Sequence, residues 1–190
     1  MPGDHLLNKA RNLLFFGIRY PWVKHGRNVH VQWSTRIWSP HHHVVMGNDV
    51  GIGPNCLVQC DLEIGSKVLI AGNVAFVGYD DHLIDQVGVA IWDSGRGDSK
   101  GTVVEDDVWI GHGAIVVGGA HIGRGSVIGA GSVIVGEVAP YSIMIPGKAR
   151  LLRRRFTEDD SLAHDRALES QGLDLAHLSR STGVSGRQGP

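Results

Sequence analysis

The sequence predicts an all-β solenoid, a parallel β-helix, and three observations predict it: a six-residue repeat, glycines at a fixed place in that repeat, and a break between two repeat blocks. Every sixth residue from Val104 is β-branched: Val104, Ile110, Val116, Ile122, Ile128 and Ile134. Four residues after each stands Val108, Ala114, Ala120, Ser126, Ser132 or Val138, always small or Val. A period of six matches neither the roughly 3.6 residues per turn of an α-helix nor the alternation of a half-buried strand. It matches short strands that stack coil on coil and bury one aliphatic ladder.

An earlier block has the same period. Met46, Ile52, Val58, Ile64, Ile70 and Phe76 take the aliphatic slot, and Val50, Cys56, Leu62, Val68 and Val74 the second. Gly follows the aliphatic slot at positions 47, 53, 65, 111, 123 and 129, with Asn, Asp or Gly soon after. These are residues that tolerate the backbone angles of a tight corner. Phe76 and Val104 are 28 residues apart, not a multiple of six, so a loop is inserted at about residues 79–102.

The flanks read differently. Residues 1–20 form an N-terminal cap: an amphipathic helix, interrupted by Lys9 and Arg11, that ends before Pro21 and covers the open end of the coil. It is too short and too charged to span a bilayer, so at most Leu13, Leu14, Phe15 and Phe16 touch a membrane peripherally. Residues 21–45 enter the coil, with Val29, Val31, Trp33, Ile37 and Trp38 available for packing. The repeat ends at Pro140, and an extended exit runs to the basic cluster Arg150, Arg153, Arg154 and Arg155, closing a coil domain of residues 21–156. Thr157 with Asp160 reads as a helix N-cap for residues 158–168, and residues 157–190 end in a Ser-, Gly- and Arg-rich tail expected to be disordered.

A formal net charge of −1 gives no sign of wholesale nucleic-acid binding. Cys56 sits in a repeat slot, Cys60 has no assignment, and neither belongs to a spaced metal motif. That points to a reducing, cytoplasmic setting without disulfides.

Four segments carry a resemblance: DDHLID at 80–85, EDDVWIGHGAIV at 105–116, IGAGSVI at 128–134 and IPGKARLLRRRF at 145–156. In order and spacing, over about residues 20–156, they resemble the hexapeptide-repeat acyltransferases, in particular the sugar and xenobiotic O-acetyltransferases, and the segment DHLIDQVGVAIWDSGRGD is most similar to acetyltransferases from surface-polysaccharide gene sets. The resemblance implies a left-handed coil, where general crossover rules favour the right hand. It implies a homotrimer with active sites in grooves between subunits, acetyl-CoA as cosubstrate, a carbohydrate acceptor and no metal. Carried over by motif, His82 is the catalytic base, with Asp85 able to orient it or to shape the loop. Trp109 lines the pantetheine end of the groove, His112 touches CoA or the trimer interface, Ala130 lets the CoA chain approach, and Arg150 and Arg153 face its phosphates. Asn55 and Asp61 lie where relatives place acceptor contacts, and Asp93 is a third acceptor candidate. The plainer reading makes Asn55 and Asp61 corner residues and Asp93 a turn residue. Two departures stand out: Val135-Gly136 where many relatives have Thr-Lys, and Leu83 where several have Pro.

A sugar hydroxyl is a poor nucleophile at neutral pH, and a neutral imidazole held against it removes its proton as it attacks a thioester. Amino sugars and antibiotics are the alternative acceptors. A γ-type carbonic anhydrase would need His pairs five residues apart, which His112 and His121 lack. A bare scaffold would need neither the loop histidine nor an aromatic wall. His41, His42 and His43 are consecutive, so their side chains should diverge rather than converge on a metal.

Overall fold

The computed structural model describes residues 11–78, 82–98, 100–146 and 157–170. The chain divides into two compact units, residues 1–80 with 98–149 and residues 81–97 with 150–190.

The first unit is a left-handed parallel β-helix of about six turns. Its strands form three parallel sheets. The first stacks Lys24–His25, Val44–Met46, Leu62–Ile64, Thr102–Val104, His121–Ile122 and Glu137–Val138. The second stacks His30–Val31, Gly51–Ile52, Leu69–Ile70, Trp109–Ile110, Val127–Ile128 and Ile143–Met144. The third stacks Arg36–Trp38, Leu57–Gln59, Ala75–Val77, Ile115–Val117 and Val133–Ile134.

Register turns the repeat into a core. Met46, Ile64, Val104, Ile122 and Val138 pair down the first sheet. Val31, Ile52, Ile70, Ile110 and Ile128 pair down the second, and Ile37, Val58, Phe76, Val116 and Ile134 down the third. All fifteen are buried. Each such aliphatic side chain contributes about 1.5–3 kcal/mol.

The structure corrects several sequence expectations. Val138 is not a second-slot residue: it pairs with Ile122 in the aliphatic ladder. The corner at Val135-Gly136 is two residues shorter than the one after Val116, so the frame shifts there. The coil also continues past Pro140, because Ile143 and Met144 pair with Val127 and Ile128. Residues 21–45 are already a full coil rather than an entry. Trp33 and Trp38 are about half exposed and lie outside the core.

The glycines after the aliphatic slot serve close approach, not unusual angles. A Cβ on Gly111 would lie 2.6 Å from the backbone nitrogen of Ala130 in the next coil. Positive φ falls three residues after the aliphatic slot, at Asp49, Asn55, Lys67, Asn73, Asp107, Gly113, Gly125 and Gly131.

At the N-terminal end, residues 11–19 are helical, with Phe15–Arg19 in π-helical form. Phe15 and Phe16 are buried in the coil end, so the expected membrane contact through them does not hold. Among the described residues no helix is long and apolar enough to cross a membrane.

The insertion leaves the coil after Val77 and returns at Thr102, at the corner between third and first sheets. The coil beneath turns that corner with Cys60 and Asp61, and Thr102 donates its N–H to the Asp61 carbonyl at 2.9 Å. In the second unit, Glu158–Ser170 is helical, with Thr157 Oγ1 accepting the Asp160 N–H at 3.2 Å. A Cβ on Gly88 would meet the Ala167 Cβ at 3.7 Å, so insertion and helix pack together.

Candidate functional site

His82 is held by its own loop. Residue 82 bridges residue 96 antiparallel, and Leu83 donates its N–H to the Gly95 carbonyl at 2.8 Å. This closure brings the Ser94 carbonyl oxygen to 3.1 Å from His82 Nδ1. A carbonyl only accepts, so Nδ1 carries a proton, and in the neutral imidazole Nε2 keeps its lone pair. Ser94 is itself fixed: it is buried, and its hydroxyl donates to the Ile91 carbonyl at 2.8 Å. Sequence reasoning missed Ser94, because a backbone carbonyl leaves no side-chain signal.

Asp85 is exposed, three residues beyond the histidine. Asp93 closes the 3-10 turn Ile91–Asp93, donating its N–H to the Ala90 carbonyl at 3.0 Å. Its neighbour Trp92 is exposed. Asp80, Asp81, Arg150 and Arg153 lie outside the described residues.

In the first unit, Trp109, His112 and Ala130 share one edge. Trp109 stands outward on the second sheet between Leu69 and Val127, with 55% of its surface exposed. The corner after it carries His112, whose carbonyl accepts the Gly131 N–H of the next coil at 2.9 Å. Ala130 sits exposed on that next coil. The Asn73 amide donates to His112 Nε2 at 3.1 Å, which leaves the proton on Nδ1. Leu69, Trp109 and Val127 make an apolar strip that suits an alkyl-amide chain such as pantetheine.

Asn55 and Asp61 do not meet. Asn55 turns the corner between second and third sheets at φ 56°, accompanied one coil on by Asn73 at 58°. Asp61 lies on the other corner, between third and first sheets. Its carboxylate accepts from Ser39 Oγ at 2.5 Å and from His41 Nδ1 at 2.5 Å. Burial works to raise this carboxyl, but the bonds from Ser39 and His41 outweigh it and hold it below its ordinary value. Nothing local in the chain marks this His41–Asp61 pair, since the two residues are 20 positions apart. His43 pairs with Glu63 at 2.9 Å, and the His42 ring stacks on Trp22, so the three histidines diverge. Among the described residues no three His, Cys, Asp or Glu side chains group as a metal site. Cys60 is buried, and desolvation pushes its thiol up to about 11, which disfavours the thiolate.

Known proteins agree with this architecture. A family described as bacterial transferase hexapeptide (six repeats) matches residues 101–136. A probable acetyltransferase of Mycobacterium tuberculosis is 31% identical over 144 residues, covering 75% of this chain and 47% of its own length. A galactoside O-acetyltransferase of Lactococcus lactis is 30% identical over 105 residues, covering 55% of this chain and 48% of its own. A solved N-acyltransferase of Bacillus cereus, in complex with dTDP and 3-hydroxybutyryl-CoA, shares the fold with a TM-score of 0.53 at 17% identity, over 80% of this chain and 82% of that one. The stacked six-residue coils define a hexapeptide β-helix protein. Residues 101–136 match the hexapeptide-repeat family, and three quarters of the chain is similar to a probable acetyltransferase. It spans about half the length of the curated relatives it matches.

Proposed function

We propose that the chain is an acetyltransferase that carries the acetyl group of acetyl-CoA to a sugar hydroxyl, of a surface polysaccharide or its precursor, with His82 as general base. The observation that carries this reading is the His82 Nδ1 contact to the Ser94 carbonyl. It leaves Nε2 as a proton acceptor on a half-buried, fixed imidazole. Nε2 takes the hydroxyl proton as the oxygen attacks the thioester carbonyl carbon. The C–O bond forms, the C–S bond breaks, and the thiolate leaves with a proton returned from the imidazolium. No acyl-enzyme is needed.

Trp109 with Leu69 and Val127 takes the pantetheine arm, His112 and Ala130 border it, and Arg150 and Arg153 face the phosphates. The likeness to a galactoside O-acetyltransferase supports a sugar acceptor. Exposed apolar residues on the outer sheet faces, among them Leu69, Ile115, Val133 and Ile143, support a homotrimer. Two buried free thiols suit the cytoplasm.

The test is release of free CoA from acetyl-CoA in the presence of methyl hexosides, an aminohexose or chloramphenicol. Release stimulated by a hexoside, with the acetyl ester found on the sugar, is the expected result. Stimulation by the amine or the antibiotic alone would overturn the sugar-hydroxyl assignment while keeping the transferase.

A further inference from the structure

One end of the coil is basic. From His5 to Asn48 there is no Asp or Glu, while Lys9, Arg11, Arg19, Lys24, Arg27 and Arg36 fall in that stretch. The rest of the chain holds the other twelve Lys and Arg residues and all 19 acidic ones. Such a division in a chain of formal charge −1 sets one terminal region apart from the remainder.

The same end exposes apolar side chains. Phe15 and Phe16 turn into the coil, which leaves Leu13, Leu14 and Ile18 on the outer side of the helical cap, exposed by 72, 48 and 74%. Trp33, in the first coil, is half exposed. It is fixed in place by Arg19, whose guanidinium lies 5.4 Å from its ring and donates to its carbonyl at 2.8 Å. Lys24, Arg27 and Arg36 are exposed around that terminal coil, at the first sheet, the corner after it and the third sheet. Core packing explains the two phenylalanines but not the three aliphatics; the stretch itself holds no acid, and Asp49 of the next coil, whose N–H donates to the Arg27 carbonyl at 2.9 Å, pairs its carboxylate with Lys67 at 2.6 Å.

We infer that this end is a docking surface for an anionic lipid bilayer. Leu13, Leu14 and Ile18 enter the headgroup–acyl boundary, and Lys24, Arg27 and Arg36 face the lipid phosphates. An apolar ridge ringed by cations is the composition that binds such an interface, where burial and charge attraction act together. A soluble polyanion would use the cations and have no use for the exposed aliphatics. The inference stands apart from the transferase reading.

Co-sedimentation of the full chain with vesicles tests it, using phosphatidylcholine alone against an equimolar mixture with phosphatidylglycerol. The wild type is expected to pellet with the mixed vesicles, not with phosphatidylcholine, and to be released in part by salt. The double variant Leu14→Ser/Ile18→Ser and the double variant Lys24→Glu/Arg27→Glu are each expected to lower binding on the order of tenfold. All four positions are exposed, so thermal unfolding should stay near that of the wild type. Equal binding to both vesicle types, or wild-type binding by the serine variant, would overturn the inference. Loss in the charge variant alone would also overturn it, and would leave a polyanion as the ligand. The acetyl-CoA response of these variants is read separately, so either conclusion can fail without the other.

Discussion

The Nδ1 atom of His82 lies 3.1 Å from the carbonyl oxygen of Ser94, so a backbone acceptor, twelve residues on, sets the imidazole tautomer. The closure of the loop, through the pairing of residues 82 and 96, thus orients the imidazole proposed as the base.

Replacing His82 with Ala should therefore lower acetyl transfer by about 10²–10⁴ and leave acetyl-CoA affinity unchanged. Initial rates and a binding titration on the same preparation check both halves. A fall in affinity that accounts for the whole rate loss would assign His82 to binding.

Trp109→Ala should weaken acetyl-CoA binding without weakening the fold. The ring is more than half exposed, so its removal leaves no core cavity. The expected pattern is a raised KM for acetyl-CoA, with a melting temperature in the absence of ligand close to that of the wild type.

Two glycines of one corner should answer oppositely. A Cβ on Gly111 would meet backbone at 2.6 Å, so Gly111→Ala should cost about 1–3 kcal/mol or more. Gly113 has nothing within 4 Å of its would-be Cβ and φ +68°, and Asn73 already holds the equivalent place one coil earlier at φ 58°. Gly113→Asn should stay within about 0.5 kcal/mol of the wild type in denaturant unfolding.

Asp61 should make stability depend on pH. Its carboxyl is held below the ordinary value, because bonds from Ser39 and His41 outweigh the effect of burial. A lowered carboxyl stabilises the fold above the unfolded value, near about pH 4, and loses that contribution as pH falls through the folded value. Asp61→Asn should thus be less stable than the wild type at neutral pH, with the gap closing in acid. Melting temperatures of both proteins across that range measure it.

The coil was legible because burial imposes a strict period: Ile110, Val116 and Ile122 each had to face inward in successive sheets. Trp109 was legible as outward because its two neighbours, Val108 and Ile110, are the buried ones. The frame shift at Val135-Gly136 was not, since Val138 fits either slot by residue type and only the pairing with Ile122 decides. His82 could be singled out by motif, but its partner is a main-chain oxygen. The His41–Asp61 pair joins two coils, and nothing local in sequence marks which corner residues of successive coils will face one another.

The most direct measurement is thermal unfolding of the wild type, His82→Ala and Trp109→Ala, each with acetyl-CoA, CoA or no ligand. A ligand bound only by the folded state raises the melting temperature. The predicted result is a clear rise with acetyl-CoA in the wild type, kept in His82→Ala and reduced in Trp109→Ala. No rise with either CoA species in the wild type would contradict the acetyltransferase.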